Sequence, residues 1–290
     1  MLCMTRFLKM HGLGNDFIVL DARTPEAGIP PVIGSNAARR LADRHVGIGC
    51  DQILVIRPSK MADIFMEILN SDGSQAAACG NGTRCVADYV MHDLDVDRLS
   101  IETASGPLES WRAAECADHI AVDMGPARLG WDEVPLAEMR DTLSVDLGGP
   151  VPAVCHSMGN PHAVLFVEDA EAVDLATIGP RLEHHPMFPD RANISFVHQL
   201  APARFRMRVW ERGGGVTYAC GSGACAVGVA IVRAGLGGRQ NEIVMDGGSV
   251  HIDWQEDAAP GGRVIMRGPV AYVFDGQLCA ELAKSLEAGA

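Results

Sequence analysis

Residues 78–82 of the chain read Ala78-Cys79-Gly80-Asn81-Gly82, and 141 positions later residues 219–223 read Ala219-Cys220-Gly221-Ser222-Gly223. One isolated Cys-Gly-x-Gly motif would indicate little, because short glycine-containing motifs recur by chance. Here both copies follow a run with the pattern of a strand and precede a run with the pattern of a helix. The pair therefore predicts a protein made of two similar halves, each of which supplies one thiol.

The repeat extends well beyond the two cysteines. Under the same shift of 141 positions, residues 63–70 fall on residues 204–211, and residues 52–56 fall on residues 193–197. In the first pair of runs every second residue is apolar, which is the period of a strand. With a slightly different offset, residues 14–19 resemble residues 159–164. Four matched pairs in one order favour a single large duplication over chance and over a solenoid, whose periods are much shorter.

The residues that follow each cysteine predict a helix, over 83–92 and over 224–234. Both runs are apolar on nearly every side, which indicates a buried helix. Short strand-like runs punctuated by Gly and Pro occupy residues 99–103, 118–123, 162–167, 242–246, 249–254 and 263–267. The predicted fold class is α/β (α+β), with two pseudo-symmetric halves. Each half is expected to wrap a mixed or antiparallel sheet around a central helix, with the active site in the cleft between the halves.

The domain boundaries follow from the repeat and from the local composition. We expect an N-terminal half at residues 1–125, which carries Cys79, and a C-terminal half at residues 126–267, which carries Cys220. The Pro- and Gly-rich stretch 125–152 is expected to contain the linker. Residues 268–290 are expected to complete the N-terminal half.

The composition excludes several classes of protein. The net charge of −13 over 290 residues argues against nucleic-acid binding, which needs clustered Lys and Arg. No uncharged apolar run approaches about 18 residues, so no membrane span is expected. The first 16 residues carry three charges and do not resemble a signal peptide, which predicts a cytoplasmic protein. The nine cysteines are an odd number in a chain with no expected secretory signal, so a disulfide framework is not expected. They include no C-x-x-C pair, so a structural zinc site is not expected either.

The position of each cysteine predicts its chemistry. Backbone N–H groups in the first turn of a helix have no intrahelical partner, and the helix dipole is positive there. We therefore expect the pKa of each thiol to fall toward neutrality. The same N–H groups can hold a substrate carboxylate. One thiolate would then remove an α-proton while the opposite thiol delivers a proton to the other face, without a metal or a cofactor.

Three side chains in the C-terminal copy are candidates for binding the substrate or tuning a thiol, because of their positions in the repeat. Glu211 and Arg212 end a strand just before the second Cys-Gly-x-Gly turn, where they could meet an ammonium and a carboxylate. A solvated ion pair at a strand end is the ordinary interpretation of two such residues, but their place in the repeat favours a binding role. His162 alone would be read as a structural histidine, whereas beside Gly159-Asn160-Pro161 it is expected to tune a thiol.

The longer motifs resemble those of a known family, diaminopimelate epimerase. They cover the chain from about residue 6 to about residue 275. The matching stretches are Lys9 to Phe17, Gly49-Cys50-Asp51-Gln52, Asn70-Ser71-Asp72-Gly73-Ser74, Cys79 to Arg84, Gly159-Asn160-Pro161-His162, Asn193 to Val197 and Val209-Trp210-Glu211-Arg212-Gly213.

The resemblance implies conversion of LL-2,6-diaminoheptanedioate to the meso form, in lysine and peptidoglycan precursor synthesis, by a cofactor-independent homodimer. It implies that Cys79 and Cys220 are the acid–base pair and that His162 and Glu211 tune them. The backbone donors to the reacting carboxylate would be Gly80, Asn81, Gly221 and Ser222. The substrate pocket would be lined by Asn15, Gln52, Asn70, Asn160, Asn193, Glu211 and Arg212, with Arg212 on the distal carboxylate.

Two departures from the family pattern and two rival interpretations remain open at this stage. Many members have Glu where this chain has Val216 and Thr where it has Ser222; the second change keeps a hydroxyl and a backbone N–H. The first rival is a two-cysteine racemase acting on proline, hydroxyproline or histidine. The second is a redox sensor in which the same two thiols form a reversible disulfide.

Overall fold

The computed structural model describes residues 5–113, 118–255, 257 and 262–287. Cys3 and Cys116 lie outside the described residues. The chain divides into two units: unit 1 comprises Met1–Val122 and Pro269–Ala290, and unit 2 comprises Asp123–Gly268. Each unit combines a mixed sheet with a few helices, so the predicted α+β class is confirmed.

The predicted strands and the two predicted helices are present, and the structure adds further helices and several strands that were not predicted. Unit 1 contains β1 (Arg6–Gly12), β2 (Asn15–Asp21), α1 (Ser35–Ala42), β3 (Gln52–Arg57), β4 (Ile64–Asn70), β5 (Gln75–Ala76), α2 (Gly80–Leu94), β6 (Arg98–Thr103), β7 (Gly106–Arg112), β8 (His119–Asp123), β17 (Ala271–Gln277) and α5 (Ala280–Glu287). Unit 2 contains β9 (Val154–Ser157), β10 (Pro161–Phe166), α3 (Leu175–Glu183), β11 (Asn193–Ala201), β12 (Arg204–Glu211), β13 (Gly215–Val216), α4 (Gly221–Arg233), β14 (Gln240–Met245), β15 (Gly248–Gln255) and β16 (Arg263–Pro269).

Both units pair their strands in the same order and sense. In unit 1, β2 runs parallel to β3, β3 antiparallel to β4, β4 antiparallel to β5 and parallel to β6, and β6 antiparallel to β7. In unit 2 the strands β10, β11, β12, β13, β14 and β15 repeat that series of pairings. The helix that follows each cysteine connects corresponding strands, β5 to β6 in unit 1 and β13 to β14 in unit 2. The pairing pattern is what a duplicated sequence should produce.

The sheet of unit 1 is covered on both faces, as its strand β3 illustrates. Ile53, Leu54, Val55 and Ile56 are all fully buried. Ile53 and Val55 pack in one cluster with α1 residues such as Leu41, and successive side chains of a strand point to opposite faces. Leu54 faces α2, since its side chain lies next to Gly82. A strand covered on both sides reads as a continuous apolar run, which is the pattern of residues 53–56.

The helices that follow the two cysteines are the central helices of their units. α2 packs against β1, β2, β3, β6 and β7, and α4 packs against β9, β10, β11, β12, β14 and β15. In α4 every residue from Ala224 to Ile231 is buried. α2 ends at Leu94 and is capped by Asp95. The backbone of Asp95 adopts the left-handed conformation (φ 53°), and its N–H donates to the carbonyl of Met91. These contacts fix the first turn of each helix, and therefore the cysteine that precedes it.

The Pro- and Gly-rich stretch 125–152 carries two isolated β-bridges, Arg128 with Ser157 and Val145 with Ala153. Val134, Leu136, Val145 and Leu147 of this stretch are buried in a cluster with residues of β10, α3 and β11. These side chains therefore belong to the interior of unit 2. Within the described part of the chain, no helix has both the length and the apolar character of a membrane span.

Candidate active site

Cys79 and Cys220 occupy equivalent positions, each just before the first turn of a central helix. Cys79 has φ −153° and ψ 100°, and Cys220 has φ −120° and ψ 107°, so both are extended N-cap residues. The helices begin at Gly80 and Gly221, three residues before the predicted starts at 83 and 224. The free backbone N–H groups of a first helical turn thus lie beside each sulfur.

The last glycine of each Cys-Gly-x-Gly motif is required by close packing. A Cβ atom on Gly82 would lie 3.3 Å from Sγ of Cys79 and 3.0 Å from Cδ1 of Leu54. A Cβ atom on Gly223 would lie 3.1 Å from Sγ of Cys220 and 2.7 Å from Cε of Met207. The missing side chain also brings the N–H of Gly82 to within 3.3 Å of Sγ of Cys79, to which it donates. The motif therefore places a sulfur atom at the N-terminus of a helix.

Amide side chains surround Cys79, which is half-buried. The thiol donates to Oδ1 of Asn15 across 3.9 Å, and Nδ2 of Asn81 donates to the same oxygen across 3.3 Å. Close by in the sheet, Nε2 of Gln52 donates to Oδ1 of Asn70 across 2.9 Å. Asn15, Gln52 and Asn70 lie at the same end of their strands, because β2 and β3 begin there and β4 ends there. Asn81 of α2 joins Asn15 through its hydrogen bond.

A different chain of hydrogen bonds leads to Cys220, which is 5% exposed. Oγ of Ser222 lies 3.7 Å from its sulfur and accepts a hydrogen bond from Nδ2 of Asn160 across 3.3 Å. Oδ1 of Asn160 lies 2.9 Å from Nε2 of His162. The imidazole therefore carries its proton on Nε2, because a carbonyl oxygen can only accept. His162 reaches Cys220 through two intervening side chains.

The predicted fall in the pKa of Cys220 is wrong. The pKa of this thiol lies well above its ordinary value, first because the sulfur is buried and second because the carboxylate of Glu211 is near. The N–H of Gly223 and the hydroxyl of Ser222 lower the pKa, but by less. Loss of solvent around a thiolate outweighs the helix N-terminus here. Cys220 is therefore a neutral thiol at physiological pH.

His162 is also neutral, and this limits how its imidazole can influence Cys220. Burial lowers the pKa of this imidazole to about 3, and the positive charge of Arg212 contributes in the same direction. A neutral His162 cannot stabilise a thiolate as a cation. Its observed contact is the hydrogen bond that fixes the Asn160 amide, so any effect on Cys220 passes through that amide and Ser222.

Glu211 and Arg212 stand at the end of β12, as predicted. Oδ1 of Asn193 accepts the backbone N–H of Arg212 across 3.0 Å, and Nδ2 of Asn193 donates to the carbonyl of Pro161 across 3.1 Å. The hydroxyl of Thr217 donates to the carboxylate of Glu211. The Arg212 side chain lines a cleft of about 620 Å³ in unit 2. Asn193 therefore ties the loop that carries Arg212 to the start of β10.

Val216 of β13 stands where many members of the family described above carry Glu. It pairs with Trp210 of β12 and is 48% exposed. The position therefore lies at the surface, and an apolar side chain there leaves the hydrogen bond from Thr217 to Glu211 in place.

Comparison with known proteins bears on this arrangement. The family model described as diaminopimelate epimerase matches residues 7–130 and 154–273. Diaminopimelate epimerase from Rhodospirillum centenum is 54% identical over 96% of this chain and 93% of its own length. The protein of that name from Acidiphilium cryptum is 52% identical over 95% of this chain and 97% of its own length.

The chain belongs to the diaminopimelate epimerase family. The solved structures add the fold. A PhzF-family phenazine biosynthesis protein from Bacillus anthracis aligns with TM-score 0.68 at 17% identity, covering 95% of this chain and 99% of that one. A probable proline racemase from Agrobacterium radiobacter aligns with TM-score 0.67 at 17% identity, covering 95% and 93%. At this identity they show that the chain shares a fold with these proteins.

Glu183, which supports the site, was not predicted from the sequence. Glu183, at the end of α3, is 3% exposed. Its carboxylate accepts hydrogen bonds from the indole of Trp210 and from the backbone N–H of Gly213, the residues that flank Glu211 and Arg212. In the sequence, Glu183 stands directly before two histidines at the polar end of a helix. Nothing there distinguishes it from a solvated carboxylate.

Proposed function

We propose that this chain interconverts LL-2,6-diaminoheptanedioate and its meso form, with Cys79 and Cys220 as the acid–base pair. Relatives at 44–54% identity that bear the name diaminopimelate epimerase support the substrate. The observation that carries the mechanism is the matched placement of one thiol, in each unit, at the N-cap of a buried helix. Chemistry of this kind uses one group to remove a proton and another to return one.

In the proposed reaction, the thiolate of one cysteine takes the α-proton and becomes a thiol. The electron pair of the broken C–H bond moves onto the α-carbon and its carboxylate. The opposite thiol then gives its proton to the other face of that carbon and becomes a thiolate. In one direction Cys220, which rests as a neutral thiol, is the acid, and Cys79 is the base once it has lost its own proton. In the reverse direction the two exchange roles.

The developing charge needs donors that are already in place. The carboxylate next to the reacting carbon would receive hydrogen bonds from the first-turn backbone N–H groups of Gly80 and Asn81 from α2, and of Gly221 and Ser222 from α4. Such fixed donors stabilise the transition state more than the ground state, because the carboxylate gains charge as the proton leaves. The buried surroundings of the helix starts strengthen these interactions.

The distal amino-acid group of the substrate requires partners of both signs. We assign its carboxylate to Arg212 and its ammonium to Glu211, since the two stand side by side at the open end of β12. Arg212 lines a cleft that is large enough for such a group. The remaining polar contacts are assigned to the amides of Asn15, Gln52, Asn70, Asn160 and Asn193.

We further propose a cytoplasmic homodimer that works without a cofactor in lysine and peptidoglycan precursor synthesis. The dimer is supported by an apolar surface on β17, where Tyr272, Val273 and Phe274 are each about half exposed. β17 pairs with β1 along one edge. A second copy of the chain would cover these side chains, because neighbouring exposed apolar side chains of this size mark interaction surfaces.

The experiment is exchange and inversion of purified protein in deuterium oxide, with no cofactor added. The wild type should introduce deuterium at the α-carbon of LL- and meso-diaminopimelate and equilibrate the two isomers. Cys79→Ala and Cys220→Ala should each lower inversion at least about 100-fold, because each removes a general acid or base. Cys279→Ala, at an exposed thiol, is the matched control and should keep full activity. Full inversion in both test variants, or turnover of proline in place of diaminopimelate, would rule out the proposal.

A further inference from the structure

The side chain of Asn15 bridges a carboxylate and the sulfur of Cys79. Its Nδ2 donates to Oδ2 of Asp51 across 2.9 Å, and its Oδ1 lies 3.9 Å from Sγ of Cys79. A carboxylate has only acceptors to offer, so the nitrogen end of the amide must face Asp51. The carbonyl oxygen is thereby turned toward the thiol. The hydrogen bond to Asp51 therefore sets the orientation of the Asn15 amide.

Asp51 is itself held from several directions. Its Oδ1 accepts from the guanidinium of Arg44 across 2.9 Å. Its Oδ2 accepts the backbone N–H of Asp16 across 3.1 Å, and its own N–H donates to the Asp16 carboxylate across 3.0 Å. Arg44 also binds the Asp16 carboxylate through two nitrogens, and Lys9 donates to the same carboxylate. The carboxylate that orients Asn15 is therefore part of a cluster of four charged side chains.

The second partner of Asn15 is oriented in the same manner. Nδ2 of Asn81 donates to Oδ1 of Asn15, and Oδ1 of Asn81 accepts from the guanidinium of Arg84 across 3.0 Å. An arginine can only donate, so it fixes the carbonyl end of Asn81. Arg84 and Asn81 are both buried. Charged groups at both ends of the chain Asp51–Asn15–Asn81–Arg84 leave one arrangement in which every amide is satisfied.

The duplicated half holds its corresponding amide the other way round. Asn160, the counterpart of Asn15, has its carbonyl oxygen bound by the Nε2–H of His162, so its Nδ2 faces Ser222. The residue 141 positions after Asp51 is Ala192, which has no acceptor in its side chain. The carboxylate is therefore present in one half only. The Cys79 thiol meets the oxygen end of its amide directly, whereas the nitrogen end of the equivalent amide reaches Cys220 only through Ser222.

We propose that Asp51 is a positioning residue for Cys79, which turns the carbonyl oxygen of Asn15 toward the sulfur and so favours the protonated thiol. A hydrogen-bond acceptor beside a thiol stabilises S–H, whereas a donor would stabilise the thiolate. The inference rests on the proposed function only in that Cys79 is an acid–base residue there. Asp51 touches neither the sulfur nor the reacting carbon, and it acts through Asn15.

The charged and titratable groups around this relay are few among the described residues. Arg44 and Asp16 contact Asp51, and Lys9 lies behind Asp16. Arg84 closes the other end. Cys50 and Cys85 lie nearby, and burial raises the pKa of each of these thiols to about 12, so both stay neutral.

The test measures the rate at which iodoacetamide alkylates Cys79 as a function of pH, followed on the Cys79 peptide by mass spectrometry. Asp51→Ala removes both carboxylate oxygens, including the acceptor that orients Asn15, so the amide is free to turn and present N–H to the sulfur. The midpoint of the alkylation profile should move down by about one pH unit, a change of about 1.4 kcal/mol. Asp51→Glu, which keeps the carboxylate, should leave the midpoint within about 0.3 unit.

A double-variant cycle separates positioning from simple loss of charge. In the Asn15→Ala background, Asp51→Ala should no longer move the midpoint, because the amide that carries the effect is absent. A shift of the same size in that background, or no shift in Asp51→Ala alone, would overturn the inference. If Asp51→Ala does not fold by circular dichroism, Asp51→Leu, which also lacks an acceptor, takes its place. Alkylation needs no turnover, so this result is independent of whether the epimerase assay succeeds.

Discussion

The indole nitrogen of Trp210 donates a hydrogen bond to the buried carboxylate of Glu183 across 2.7 Å. The backbone N–H of Gly213 donates to the other oxygen of that carboxylate across 3.0 Å. α3 thus holds both ends of the four-residue stretch that carries Glu211 and Arg212. The guanidinium of Arg191 lies 3.8 Å from this carboxylate.

Glu183→Ala should therefore destabilise unit 2 and disorder the Arg212 loop. The substitution leaves the indole N–H and the Gly213 N–H buried without an acceptor, and hydrogen bonds to a charged group contribute about 1.5–3 kcal/mol each. We expect a loss of about 2–4 kcal/mol in urea unfolding and a higher KM for diaminopimelate. Glu138→Ala, which breaks an exposed pair with Arg140, is the control and should change stability by less than about 1 kcal/mol. Equal effects in the two variants would contradict a special role for Glu183.

Gly228 in the middle of α4 should resist replacement by a better helix former. Gly228→Ala would stabilise an isolated helix by about 1 kcal/mol. Here the added Cβ would lie 2.4 Å from Cγ2 of Ile252, a buried β-branched side chain of β15 that cannot move aside. Overpacking of this kind costs about 1–3 kcal/mol, so we expect a net loss of stability in urea unfolding.

Two further variants check the cause of that loss. Gly238→Ala, where an added Cβ meets nothing within 4 Å, should leave the unfolding midpoint nearly unchanged. Ile252→Ala should make Gly228→Ala less harmful than it is in the wild type, because the contact atom is gone. Additive losses in the double variant would show that the clash is not the reason.

How far the sequence predicts this molecule depends on the kind of interaction involved. The period-2 runs and the two Cys-Gly-x-Gly motifs predict the strands, the central helices and the N-cap position of both cysteines, because these follow from local pattern. The raised pKa of Cys220 could not be predicted, because it depends on how completely Ala219, Gly223 and the strand β12 exclude water from the sulfur. Glu183 and the orienting contact of Asp51 were missed for a related reason: each depends on a partner far away in the sequence.

The neutral buried histidines should make stability depend on pH. In the folded protein burial lowers the pKa of His162 to about 3, whereas the unfolded chain should titrate near 6.5. Below pH 6.5 the unfolded state binds a proton that the folded state refuses, so stability is complete above this pH and is lost as the pH falls toward 3. From pH 7.5 to 5.5 this single residue should remove about 1.4 kcal/mol.

His156, on the neighbouring strand, has its pKa lowered by burial as well and should add to the same loss. Urea unfolding at the two pH values measures the difference. His162→Gln should flatten the pH dependence, whereas His45→Gln, at a side chain 94% exposed, should leave it unchanged. An unaltered slope in His162→Gln would show that this imidazole does not enter the folded state uncharged.

The thiol of Cys220 should react slowly with iodoacetamide at neutral pH, because its raised pKa keeps it protonated and thiolate is the reactive form. The rate should climb as the pH rises above the ordinary thiol range. Glu211→Gln removes the second-largest cause of the shift, so the profile should move to lower pH. Glu242→Gln, which removes a carboxylate paired with Arg204, is the control. Fast alkylation of wild-type Cys220 at pH 7 would contradict the neutral resting thiol.

The apolar surface of β17 gives the last prediction, on the proposed homodimer. Val273 is 53% exposed, and its two neighbours in the strand are exposed to a similar degree. Val273→Arg places a charge in the middle of this surface, and burying an unpaired charge between two copies is unfavourable. Sedimentation of the variant should show monomer at concentrations where the wild type is a dimer. Val46→Arg, at a valine that is 72% exposed in another part of unit 1, should sediment like the wild type. If Val273→Arg remains a dimer of unchanged affinity, the second copy binds elsewhere.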